Sequence, residues 1–137
     1  MVSLRDDFDF ICCSLERDDS MSDNAADKSF DFAIRIVRLY QHLTSTKTEY
    51  IMSKQLLRCG TSIGANISEA QYGQSKADFL TKMQIALKEA SETSYWLRLL
   101  YRTDYLSETE YNSMMRDINE LLRLLTAICK TKINPIR

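Results

Sequence analysis

The segment Gln55–Tyr72, QLLRCGTSIGANISEAQY, decides the fold of this chain. Its apolar residues recur at steps of three or four, which is the spacing of one face of an α-helix. Two of the chain's three glycines, Gly60 and Gly64, lie inside this helical pattern. Because a glycine in a helix interior costs about 0.5–1 kcal/mol relative to alanine, we expect a neighbouring helix to approach closely there. Packing within one chain is favoured over a contact between subunits.

Three more segments have helical spacing, one before this segment and two after it. The first helix is predicted to span residues 28–43, with Asp27 as its N-cap and with Phe32, Ile36 and Val37 on its apolar face. Each of these segments therefore has one side that must pack against a neighbour.

Short side chains mark where the later helices begin. Thr48 is the predicted cap of the second helix. The third and fourth helices open with the capping boxes Ser75-x-x-Asp78 and Ser107-x-x-Glu110. In such a box, a hydroxyl and a carboxylate bond to the free backbone N–H groups of the first turn.

Four amphipathic helices joined by short links predict an all-α fold, an antiparallel up-down-up-down four-helix bundle. We assign residues 28–133 to the bundle and residues 134–137 to a C-terminal tail. Residues 1–27 contain eight acidic side chains and no persistent period, so they are predicted to be an acidic, disordered N-terminal extension. We hypothesise that translation naturally starts at Met21, with residues 1–20 as an upstream extension.

The composition argues for a cytoplasmic protein. The 137-residue chain has a net charge of -1, and no apolar run approaches the roughly 20 residues that cross a bilayer. Its four cysteines form no C-x-x-C pair, so we expect reduced thiols. We expect no signal peptide, because the N-terminal residues lack a basic region followed by an apolar one. We expect no membrane partner.

Charge is unevenly distributed along the chain. Residues 1–29 carry eight acidic and three basic side chains, a balance of -5, and residues 30–137 carry fifteen basic and eleven acidic ones, a balance of +4. Contact with nucleic acid is compatible with a mildly basic domain, and a solvated helix surface explains the same residues more simply. The candidate nucleic-acid-binding residues are Arg35, Arg38, Lys54, Arg116, Arg123 and Lys130.

A second set of polar residues lies beside the apolar stripes of the second and third helices. It allows either a polar site between helices or a structural network in which Arg58 meets Glu89 or Glu92, and we favour the network. The candidate network residues are Arg58, Ser62, Asn66, Glu69, Glu89 and Glu92.

Residues suited to catalysis or metal binding are scarce. His42 is the only histidine, and the chain has neither zinc-type spacing nor the Glu-x-x-His pair of metal-binding bundles. The chain also lacks the strand and glycine-rich loop that together bind phosphate in nucleotide-binding folds. We expect no cofactor, no metal and no enzymatic activity.

Four stretches carry a resemblance to a known family: SFDFAIRIVRLY (Ser29–Tyr40), QLLRCGTSIGANISEA (Gln55–Ala70), SKADF (Ser75–Phe79) and KEASETSYWL (Lys88–Leu97). From about Ser29 to Lys132, the chain resembles the bacterial four-helix-bundle proteins labelled 23S rRNA intervening-sequence proteins. A relative of these proteins is the accessory variability protein of diversity-generating retroelements.

The resemblance implies a homo-oligomer, most often a ring of five subunits around an axial opening. For the retroelement relative, it also implies binding of nucleic acid and of a reverse transcriptase. The ribosomal label reflects genomic position, and most members have no established activity. We therefore predict an oligomeric, non-enzymatic protein that binds nucleic acid or a nucleoprotein partner through basic residues. The alternative is a protein–protein adaptor or scaffold with no nucleic-acid role.

Overall fold

The computed structural model describes residues 19–133, which form four helices and no strand. Helix α1 spans Asp19–Ser45, α2 spans Met52–Ala70, α3 spans Lys76–Arg102 and α4 spans Glu108–Ile133. Helices that are consecutive in the chain pack against each other, and α4 also packs against α1. This architecture is consistent with the predicted four-helix bundle. None of the four helices has the length and apolarity that a membrane span requires.

A single hydrophobic core lies between the four helices. Every helix contributes fully buried side chains at the three- and four-residue steps that the sequence predicts. The largest of them are Phe32, Ile36, Leu43, Leu56, Ile63, Ile67, Met83, Leu97, Leu100, Ile118, Leu121 and Leu125.

Helix α1 begins at Asp19, well before the predicted start at Lys28. Asp27, the predicted N-cap, is an exposed residue inside the helix. Ser22 and Ala25, which precede the predicted start, are buried, so this part of α1 also has an inward-facing side. The exposed acidic residues Asp23 and Asp27 beside them obscured this side in the sequence.

This start changes the predicted domain boundaries. Residues 19–27, which were expected to be disordered, are helical. The remainder of the predicted extension, residues 1–18, and the predicted tail, residues 134–137, lie outside the described residues.

Helix α2 is capped by Glu49 and not by Thr48. Thr48 has a φ of 52°, in the left-handed region. The carboxylate of Glu49 accepts hydrogen bonds from the backbone N–H groups of Ile51, Met52 and Ser53 at 3.0, 2.9 and 2.7 Å. One buried side chain thus satisfies three of the N–H groups that a helix start leaves free.

The predicted capping box at Ser107 is confirmed in both of its hydrogen bonds, and the one at Ser75 in its hydroxyl bond. The N–H of Asp78 donates to Ser75 Oγ at 3.1 Å, which starts α3. At the start of α4, the N–H of Glu110 donates to Ser107 Oγ at 3.2 Å, and the N–H of Ser107 donates to Glu110 Oε1 at 3.1 Å.

Candidate functional site

Ion pairs between α1 and α4 determine which charged side chains of these two helices remain without a partner. Lys28 Nζ lies 2.6 Å from Glu120 Oε1. The guanidinium of Arg35 pairs with the carboxylate of Asp117 and donates to Ser113 Oγ at 2.6 Å. Asp117 and Glu120, which interrupt the basic residues of α4 in the sequence, are therefore paired with cations of α1.

The structure does not bring the six candidate nucleic-acid-binding residues together. Arg35 is occupied by its partners on α4, and Arg38 and Lys54 lie on α1 and α2. The other three lie on α4. Apart from Arg35, each of the six is exposed and forms no ion pair within residues 19–133.

The exposed side of α4 is basic along most of its length. Arg116, Arg123 and Lys130 recur at seven-residue steps, and the exposed amides Asn112 and Asn119 lie between or beside them. Residues at these steps share one side of a helix. This side of α4 carries hydrogen-bond donors and positive charge.

Helix α3, which packs against α4, carries a second basic row that sequence analysis missed. Lys88, Arg98 and Arg102 are exposed, and Tyr95 lies among them with 49% of its surface exposed. Their spacing on the side away from the apolar residues of α3 is the signal that could have revealed them. We call the two rows together the basic face: Lys88, Arg98, Arg102, Arg116, Arg123 and Lys130.

The acidic residues of α3 nearest to this row pair with α2. Arg58 Nη2 lies 2.6 Å from both carboxylate oxygens of Glu92, and Nη1 lies 3.3 Å from Glu89 Oε2. Trp96 Nε1 also donates to Glu92, at 3.2 Å. The hydrogen bond from Arg58 holds the pKa of Glu92 below its ordinary value. Because 51% of the Arg58 side chain is exposed, this cluster is a surface ion-pair network.

The remaining candidate network residues form two separate groups. The amide nitrogen of Asn66 donates to the backbone oxygen of Ser62 at 2.8 Å and to its hydroxyl at 3.1 Å. Glu69 pairs with Lys82 of α3 at 2.7 Å. The structure thus divides the six predicted residues into three groups and adds Trp96 and Lys82 as partners.

The cysteines of the described part of the chain are buried, and its acidic side chains form no metal-binding cluster with them. Within residues 19–133, no cluster of three or more His, Cys, Asp or Glu side chains could hold a metal ion. Cys59 and Cys129 are free and buried. Burial raises the pKa of the Cys59 thiol to about 11 and also raises that of Cys129.

Comparison with known proteins identifies the family. Residues 23–127 match the model of the family described as 23S rRNA-intervening sequence protein. The chain belongs to this family. The matched region contains the whole basic face except Lys130.

A solved structure supports the same assignment. It is a crystal structure of a protein with unknown function from the S23 ribosomal protein family of Bacteroides thetaiotaomicron VPI-5482. The two sequences are 53% identical, the similarity covers 81% of this chain and 99% of that chain, and the TM-score is 0.80. No curated protein matches the chain. Family membership, as predicted from four motifs, is therefore confirmed.

Proposed function

We propose that this protein is a non-enzymatic, oligomeric four-helix bundle whose basic face binds the sugar-phosphate backbone of nucleic acid. The observation that carries the proposal is the segregation of charge on α3 and α4. The six exposed cations of the basic face have no ion-pair partner among residues 19–133, while Asp117 and Glu120 pair with α1. Unpaired, exposed cations are free to replace the counterions of a phosphate backbone.

The spacing of the cations suits an extended polyanion. Residues seven apart on a helix are separated by about 10 Å along its axis. Each strand of duplex DNA has one phosphate per about 3.4 Å of duplex axis, so successive cations of the α4 row are about three phosphates apart. Asn112 and Asn119 add neutral donors along the same row. The half-exposed ring of Tyr95 offers a surface on which an unpaired base can stack.

The order of ion pairs supports the antiparallel up-down-up-down arrangement, which is part of this proposal. Along α1, residues 28, 35 and 42 meet residues 120, 117 and 110 of α4, so numbers rise on one helix as they fall on the other. The same reversal relates α2 and α3, where Arg58 meets Glu92 and Glu69 meets Lys82.

We further propose that the protein acts in the cytoplasm as a homo-oligomer, with the ring of five that the resemblance implies. Family membership supports the ring, and the free thiols of Cys59 and Cys129 support a reducing compartment. A ring repeats the basic face around its axis and multiplies its attraction for a polyanion. Mass photometry of the full chain tests the number of subunits, and any mass other than five subunits or a multiple of five would refute the ring.

Filter binding of labelled RNA and duplex DNA at low salt tests the nucleic-acid proposal. The triple variant Arg116→Glu, Arg123→Glu and Lys130→Glu should lower affinity about tenfold or more, because each change replaces an attraction by a repulsion.

The matched control makes the same net charge change at exposed lysines outside the basic face. These are Lys47, Lys76 and Lys54, each changed to Glu; Lys54 is a sequence candidate that the structure places on α2, outside the basic face. Affinity of the control should fall much less. Equal losses in both variants would contradict a localised site, and no binding by the wild-type chain at low salt would leave the adaptor as the surviving function.

A further inference from the structure

The outer side of α1 exposes apolar side chains that the core does not use. Phe30 is 67% exposed, Val37 is 40% exposed and Ile34 is 39% exposed. Together with Ala33 they line an open groove of about 430 Å³. We call Phe30, Ala33, Ile34 and Val37 the α1 stripe. Contiguous apolar side chains on a soluble surface mark a site of contact with another protein.

Charges beside the stripe are divided between its two ends. Asp27 and Asp31 are exposed toward the N-terminal end, and Arg38 is exposed toward the C-terminal end. None of the three forms an ion pair within residues 19–133. Asp31 and Arg38 lie on one side of the helix but about 10 Å apart along its axis, which is too far for them to pair with each other.

We propose that the α1 stripe packs against the same stripe of a second copy of this chain, with the two α1 helices antiparallel about a two-fold axis. An axis that passes between Ala33 and Ile34 places Phe30 opposite Val37 of the second copy. It also places Ala33 opposite Ile34 of the second copy. The apolar residues are thus complementary to themselves, as an interface between like surfaces requires.

The same axis matches the charges. Two antiparallel helices related by a two-fold axis bring the same flank of each helix together. Arg38 then lies opposite the stretch between Asp27 and Asp31 of the second copy, and the symmetry repeats this contact. Charges that have no partner within residues 19–133 gain two sets of partners across the axis, which favours this orientation over the parallel one.

This pairing goes beyond the proposed function and does not depend on it. A ring of five needs contacts between unlike surfaces, whereas a two-fold contact joins chains, or whole rings, in pairs. The basic face lies on α3 and α4 and takes no part in the contact. Loss of nucleic-acid binding would therefore leave the pairing intact.

Complementary charge reversal on the full chain tests the pairing by sedimentation equilibrium. One variant carries Asp27→Lys with Asp31→Lys, and the other carries Arg38→Glu. In each variant alone, like charges oppose one another, so the dissociation constant of the pair should rise about tenfold or more. An equimolar mixture should recover wild-type pairing, because the introduced lysines then face the introduced glutamate.

Two further variants make the test decisive. Lys76→Glu on α3 is the matched control, since Lys76 is exposed and unpaired within residues 19–133, lies outside the basic face and belongs to the helix that makes no contact with α1. This variant should pair as the wild type does. Ile34→Asp should abolish pairing by placing a charge in the apolar contact, while circular dichroism shows the fold retained.

Several results would overturn the proposal. These are a mixture that pairs no better than its components, a control as weak as Arg38→Glu, and an Ile34→Asp variant that still pairs. The proposal would also be overturned if neither wild-type chains nor five-subunit rings formed pairs in sedimentation equilibrium.

Discussion

A methyl group built on Gly60 of α2 would lie 2.8 Å from Cγ1 of Ile36 on α1. A methyl group on Gly64 would lie 3.3 Å from Oγ of Ser29. The two glycines therefore allow α1 and α2 to pack closely within one chain, which is the role that sequence analysis favoured. The cost of glycine inside a helix is offset by this close packing.

Gly60→Ala should destabilise the bundle, because the added methyl group overpacks a core contact at a cost of about 1–3 kcal/mol. Ile36 is fully buried and β-branched, so it has little freedom to move aside. A gain of up to about 1 kcal/mol in helix propensity offsets part of this cost, so the net loss of stability should be up to about 2 kcal/mol. Urea unfolding measures the difference.

Gly64→Ala is the matched comparison for this prediction. Its nearest contact, at 3.3 Å, is tight but does not clash, so the variant should lose less stability than Gly60→Ala. A Gly60→Ala protein as stable as the wild type would show that α1 can shift away at no cost.

Sequence periodicity predicted the helices well because burial alone sets the three- and four-residue steps. Sequence patterns were misleading where composition and burial indicate different structures. The acidic residues of Asp19–Asp27 resemble a disordered segment by composition, yet buried positions between them continue α1. Val37 is apolar but lies one position beyond Ile36 and so about 100° around the helix, where it faces outward.

The candidate site was less predictable than the fold. Arg35 and Arg116 are both arginines on the polar side of a helix, so the sequence does not distinguish them. Only the packing of α4 against α1 reveals that Arg35 is paired with Asp117. The cations of α3 were overlooked because Glu89 and Glu92 lie among them in the sequence. Both carboxylates pair with the single guanidinium of Arg58, which offsets one of their two negative charges.

Glu49→Gln should lower stability by about 1 kcal/mol at neutral pH, since an amide is a weaker acceptor than a carboxylate for the first N–H groups of α2. Burial raises the pKa of Glu49, but the N–H groups of Met52, Ser53 and Ile51 outweigh it, so the pKa lies below its ordinary value of 4.5. A carboxyl with a lowered pKa stabilises the fold above its unfolded pKa, and this contribution is lost as pH falls through the folded pKa.

Thermal unfolding between neutral and acidic pH provides the readout for Glu49. The wild type should lose more stability than Glu49→Gln over the range below about pH 4.5. If both proteins showed the same pH dependence, the capping carboxylate would not be a source of acid sensitivity.

Cys59 should resist alkylation in the folded protein. Its pKa of about 11 keeps the thiol protonated at pH 8, and burial blocks the reagent. Peptide mapping after iodoacetamide treatment should show labelling at least about tenfold slower than in urea, where the chain is unfolded. Equal rates in both conditions would mean that α2 opens readily around Cys59.

Arg35→Gln and Arg123→Gln should separate a structural cation from a binding one. Arg35→Gln should leave nucleic-acid affinity within about twofold and lower stability by up to about 1 kcal/mol, because its partners lie on α4. Arg123→Gln should leave stability unchanged and weaken binding to all sequences alike. Nucleic-acid affinity and the free energy of unfolding should be measured on each variant. Weaker binding by Arg35→Gln together with unchanged binding by Arg123→Gln would refute the basic face.

The salt dependence of nucleic-acid binding tests the central claim most directly. For the wild type, the logarithm of the association constant for duplex DNA should fall linearly with the logarithm of salt concentration, at about 0.9 per phosphate contact. The Arg116→Glu, Arg123→Glu, Lys130→Glu variant should have a slope smaller by about two to three. An unchanged slope in that variant, or a wild-type affinity that does not respond to salt, would contradict backbone binding by α3 and α4.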